Sequence, residues 1–126
     1  MLRQPVSTPL ALVVGIAGGS AVLFGAFGAH ALRAVLDPTQ RELWRTAVDY
    51  HVWHALALVL AVGLGGARGR RVAISAFVLG IVLFSGSLYG LALGAPRWTG
   101  LITPFGGLAF VVGWIALGLS LRSPRG

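Results

Sequence analysis

Three histidines, His30, His51 and His54, are the side chains here best suited to binding a metal or moving a proton. They stand in a sequence that also offers Tyr50, Tyr89, Ser85, Ser87 and Thr103. His51 and His54 are one helical turn apart and can share a face, so with His30 they would present three imidazoles, as many protein ligands as a catalytic zinc site uses. The H-x-x-H spacing is a weak signal, because the one carboxylate near it is Asp49. Cross-helix hydrogen bonding accounts for the same residues without a metal. The expectation is a polar cluster of His30, Tyr50, His51, His54, Ser85, Ser87, Tyr89 and Thr103, with Tyr89 and Ser85 as partners of His54. It holds no metal or other cofactor and serves helix packing or the binding of a partner or ligand.

Catalysis lacks its usual parts. The sequence has no paired carboxylates, no Ser/His/Asp arrangement with a plausible acid, no phosphate-cradling glycine loop and no H-E-x-x-H. Without cysteine it can form no disulfide, thiolate metal site or cysteine-held iron–sulfur cluster. A proton-coupled carrier would want an acid within the bilayer, and Asp37, Glu42 and Asp49 do not supply one. A non-enzymatic protein is expected. The alternatives are an oligomer that binds or transports a metal, proton or small ligand through His30, His54 and Tyr89, and a membrane enzyme acting on lipid or quinone.

The elements that position these residues follow from hydropathy. Of 126 residues, 56% are hydrophobic and 10% charged, against roughly 25% charged in a soluble domain. The mean hydropathy is +0.85. A net charge of +7 would in a soluble protein raise nucleic acid binding. Here the basic residues, all arginine, stand at the ends of apolar runs, as in membrane proteins. The reading is all-α: one domain over residues 1–126, with four transmembrane helices at about 10–32, 41–66, 72–94 and 103–121 in an antiparallel bundle. Each run is long enough, at 1.5 Å per residue, to cross a hydrocarbon core of about 30 Å.

Local signals mark the joints. Asp37 with Gln40, or Thr39 with Glu42, matches a capping box, and Pro38 suits a first helical turn. The Gly65 to Arg71 segment is a short basic turn, and Ala95 to Gly100 makes the third connection. Arg3 and Ala29-His30-Ala31 resemble the flanks of a signal peptide, but the apolar run between them exceeds the 7–15 residues typical of one. Gly15 and Gly19, Gly25, and Gly86, Gly90 and Gly94 fall at the four-residue spacings that let helix backbones approach in lipid. Trp44, Tyr50, Trp53 and Trp98 read as an interfacial belt, whereas Trp114 falls near mid-membrane and needs a partner for its N–H.

Arginine counts orient the chain. Arg3, Arg68, Arg70, Arg71, Arg122 and Arg125 share one side, while Arg33, Arg41, Arg45 and Arg97 share the other. Both termini are therefore expected in the cytoplasm, with the polar cluster towards the opposite leaflet. Membrane lipids are the expected surroundings, with a second copy or a membrane partner as company and no nucleic acid.

The segments Gly25-Ala26-Phe27-Gly28-Ala29-His30, Trp44 through Leu56, Phe84-Ser85-Gly86-Ser87-Leu88-Tyr89, Ile102 through Phe110 and Gly113-Trp114 together resemble the YgdD-like small membrane proteins of unknown function. The resemblance runs through all four helices in order. It implies a four-span fold and placement in a bacterial inner membrane, and supplies no activity. Its signature positions fall on His30, Trp44, Tyr50, His54, Ser85, Tyr89, Thr103 and Pro104. It also implies glutamine in many relatives where this chain has His51, which keeps a hydrogen-bonding group but loses a strong metal ligand.

Overall fold

The computed structural model describes residues 5–122, so that Arg3 and Arg125, counted in the orientation, lie outside the described residues. Its helices are α1 (Thr8–His30), α2 (Pro38–Leu64), α3 (Arg70–Gly80), α4 (Gly86–Ala92) and α5 (Thr103–Ser120), with no strand among the described residues. A π-helical turn, Ile81–Ser85, joins α3 and α4 into one rod, and a 3₁₀ turn, Arg97–Leu101, leads into α5. Four stretches are long and apolar enough to cross a membrane: Thr8–His30, Pro38–Leu64, Arg70–Ala92 and Arg97–Ser120.

The first two helices begin before their apolar runs do, because capping sets the start. Ser7 Oγ accepts the Leu10 N–H at 3.4 Å. Asp37 Oδ1 accepts the Gln40 N–H at 2.8 Å while Gln40 Oε1 accepts the Asp37 N–H at 2.9 Å, a complete capping box with Pro38 in the first turn. At 27 residues α2 is about 40 Å long, so its first turns overhang a core of about 30 Å.

At the other end the turn after α2 is tied down on both sides. The Gly66 N–H donates to the Ser120 carbonyl at 3.0 Å, and the Arg70 guanidinium donates to the Val62 carbonyl at 3.0 Å. Gly69 enters α3 at φ 81°, in the left-handed region, where a Cβ would also press on the Ala116 carbonyl.

Helix α2 and the Arg70–Ala92 rod form the centre, α5 packs on α3, and α1 lies chiefly against α2. One core gathers Ala57, Leu58, Ala61, Ala73, Phe77, Phe110, Ala116 and Leu117. A smaller one, at the Arg33 to Asp37 end, gathers Leu32, Leu36, Trp44 and Ala92. Only 6% of the apolar stretch of α1 is buried within the chain, against 39%, 44% and 28% for the three later spans. Most of α1 therefore lies outside the packed core of the chain.

Of the glycines expected at helix contacts, Gly15, Gly19 and Gly86 have no neighbour within 4 Å of a Cβ position, and Gly94 ends α4 at φ 101° in open space. Gly25 meets Val48 and Gly90 meets Ala95 at ordinary contact distance. The tight approaches lie elsewhere. A Cβ at Gly28 would overlap the Trp44 ring, one at Gly80 the Phe110 ring, one at Gly113 the Phe77 ring, and one at Gly106 the backbone of Phe84 in the π turn. Gly15 and Gly19 lie on the exposed side of α1, and large rings on facing helices choose which glycines are filled.

Candidate functional site

The buried polar side chains sit where these helices meet. His51, His54, Ser85 and Ser87 are all at most 6% exposed, and among the described residues no buried side-chain nitrogen or oxygen lacks a hydrogen-bond partner. Apolar surroundings make that necessary, since an unpaired polar group there costs about 1–3 kcal/mol.

His51 links three helices. Its Nδ1 lies 2.8 Å from the Tyr89 hydroxyl on α4, and its Nε2 lies 3.1 Å from Ser20 Oγ on α1. Ser20 donates its own proton to the Ala17 carbonyl at 3.2 Å, so it accepts from His51. The tautomer follows: Tyr89 O–H donates to Nδ1, Nε2–H donates to Ser20, and Ser20 donates to Ala17. This directed chain runs from α4 through α2 to α1. Phe24, 5.0 Å ring to ring from Tyr89, and Trp44, 4.6 Å from it, close over the site.

His54, one turn on, turns to α5 instead. Trp114 Nε1–H on α5 donates to its Nε2 at 3.1 Å, and Nδ1 lies 2.7 Å from the Tyr50 carbonyl. An indole N–H only donates and a carbonyl only accepts, so His54 carries its proton on Nδ1, the reverse of His51. Its ring stacks on Phe110 with centroids 3.5 Å apart and planes 10° apart, with Phe77 and Trp114 along its edges. The expected pairing of His54 with Tyr89 and Ser85 is thus replaced by one with Trp114, and Tyr89 goes to His51.

The hydroxyls complete the lacing. Ser85 Oγ, at the end of the π turn, donates to the Ala47 carbonyl of α2 at 2.8 Å. Ser87 Oγ lies 2.6 Å from Thr103 Oγ1, joining α4 to α5, and 3.0 Å from the Phe84 carbonyl. Tyr50 contributes its carbonyl to His54 and its ring to a tilted contact with Phe84, centroids 4.5 Å apart.

His30 stands apart. It is exposed at the end of α1 and takes part in neither imidazole network. Among the described residues no three His, Cys, Asp or Glu side chains come together as a metal site. The aromatic belt also divides: Trp53 and Trp98 are exposed, whereas Trp44 is buried, its ring in the space beside Gly28 and its N–H donating to the Phe24 carbonyl at 2.9 Å. Ser20 and Trp114 are the site residues that sequence reasoning left outside the cluster. For Ser20 a signal existed, since it is the one hydroxyl between Leu10 and Ala31.

A lattice of this kind, with a ring stack and two oppositely protonated imidazoles crossing the bundle, is a device for fixing helix register. Comparison with known proteins leads to a family without an assigned activity. The family model described as "Protein of unknown function (DUF423)" matches residues 24–107, more than half of the chain. The UPF0382 membrane protein YwdK of Bacillus subtilis is 44% identical over 101 residues, which cover 77% of this chain and 82% of that protein. A UPF0382 membrane protein of Haemophilus influenzae is 41% identical, covering 83% and 86%. The UPF0382 inner membrane protein YgdD of Escherichia coli is 40% identical over 109 residues, covering 82% and 81%. No solved structure matches the chain. The four membrane-length helices and these relatives together lead to one conclusion: this chain belongs to the DUF423 family of membrane proteins of unknown function.

Proposed function

We propose that the chain is a non-enzymatic membrane protein in which His51, His54, Tyr89, Ser85, Ser87 and Thr103 lock helices together. The carrying observation is that both nitrogens of each buried imidazole are already engaged by protein groups. Neither of these two imidazoles has a nitrogen left to ligate a metal or take a proton from a substrate. Metal analysis of the purified chain tests this. The expected result is no stoichiometric metal in wild type or His54→Ala, with the variant less stable in detergent. Stoichiometric metal lost on His30→Ala or His54→Ala would overturn the reading.

In this reading the chain lies in a bacterial inner membrane with both termini cytoplasmic, and α1 is the side open to a second copy or a membrane partner. The arginine distribution supports that orientation. The absence of cysteine makes it easy to test, using Thr39→Cys and Ala67→Cys and a membrane-impermeant maleimide. Thr39→Cys should label in spheroplasts and Ala67→Cys only after lysis; the reverse pattern would invert the topology.

A further inference from the structure

Between the C-terminal half of α1 and the N-terminal half of α2 lies a cleft of about 350 Å³ that the helix-locking reading does not use. Its mouth carries Arg33, Arg41 and Arg45, and its inner wall is made by Gly25, Gly28, Val48 and Trp44. All three arginines are exposed. Asp49 is the one acid in the lining, which leaves a net of two positive charges.

Both walls change character in the same direction. Along α2 the order is Arg41, Trp44, Arg45, Val48, then Asp49; from the α1–α2 loop back down α1 it is Leu36, Arg33, Ala29, Gly28, then Gly25. Because the helices are antiparallel, the positive charge sits at one end of the cleft, and the other end is apolar apart from Asp49. The gradient runs over about 10 Å along α2. The missing side chains at Gly25 and Gly28 let Val48 and the Trp44 ring pack directly against α1, so that these two side chains form an apolar floor to the lower part of the cleft.

We infer that this cleft binds one anionic glycerophospholipid, its phosphate among Arg33, Arg41 and Arg45 and its upper acyl chain against Gly25, Gly28 and Val48. Guanidinium groups match phosphate in charge and hydrogen-bonding geometry. A zwitterionic head would bring its own cation up to three others. A free anion would leave the apolar half of the cleft without an occupant. The three arginines also stand on the side opposite the larger arginine group, where the topology rule has no use for positive charge.

The test is lipid retention by the full chain, read by native mass spectrometry from detergent micelles doped with equal phosphatidylglycerol and phosphatidylcholine. One phosphatidylglycerol per chain should be retained in preference. Arg33→Gln, Arg41→Gln and Arg45→Gln should each lower that preference about fivefold, as expected for a surface arginine facing an anionic lipid. Ala29→Leu, which narrows the slot at an exposed position and keeps every charge, should lower it as well. Arg68→Gln and Arg71→Gln, at the opposite end, should not. An unchanged preference in the triple glutamine variant, or an equal loss from the Arg68 and Arg71 variants, would overturn the assignment. So would release of the bound lipid by excess inorganic phosphate with the same gain in thermal stability, which would make the cleft a free-anion site.

Discussion

Replacing His51 by leucine tests the three-helix chain most directly, because leucine is close in volume and leaves the packing against Phe24 largely filled while removing both hydrogen bonds. Cross-helix hydrogen bonds in membrane proteins are worth about 0.6 kcal/mol on average and up to about 1.7. Two such bonds, with the Tyr89 hydroxyl left unpaired in a half-buried place, put the cost at about 1–3 kcal/mol. His51→Gln should cost less than about 0.5 kcal/mol, since a side-chain amide offers a donor and an acceptor at a separation like that of the imidazole nitrogens. The assay is reversible unfolding in mixed micelles, run as a double-mutant cycle with Tyr89→Phe, in which His51 and Tyr89 should couple by about 0.6 kcal/mol or more. Wild-type stability in His51→Leu, or additive effects of the two substitutions, would refute the chain as a structural device.

Three further outcomes follow from the packing. Gly106→Val should cost at least about 2 kcal/mol in the same assay, because its side chain would displace the π turn at Phe84. Gly15→Ala and Gly19→Ala should each leave the stability of the monomer within about 0.5 kcal/mol, as both face open space; a larger loss at low detergent would show that α1 meets another chain. Asp37→Ala should cost about 1 kcal/mol and fray the first turn of α2, seen as faster amide exchange at Gln40 and Arg41.

The fold was largely legible because insertion into lipid depends on a one-dimensional quantity, the run of apolar residues, that any reader of the sequence can sum. Four such runs, the Asp37–Gln40 box and the Gly65 to Arg71 turn were visible before any coordinates. Helix starts moved by two or three residues for a similarly local reason: Ser7 and Asp37 cap the helix where polar side chains reach the backbone, outside the apolar run.

Contacts were another matter. Gly15 and Gly19 have the spacing of a packing motif, as do Gly86 and Gly90, yet the tight approaches are at Gly28, Gly80, Gly106 and Gly113, because Trp44, Phe110, Phe84 and Phe77 on facing helices decide where a missing side chain is used. That His51 and His54 are polar groups in an apolar setting was evident from their positions alone. That one turns to Tyr89 and Ser20 and the other to Trp114 depends on the rotation of α2 and on which neighbour stands at each depth. Four spans and their order can be read from the residues alone, since hydropathy and capping act along the chain. The partners of the two imidazoles, the separation of His30 from them and the basic cleft between α1 and α2 emerge when the helices pack, since they depend on the azimuth and offset of neighbouring helices, which no local property of the chain encodes.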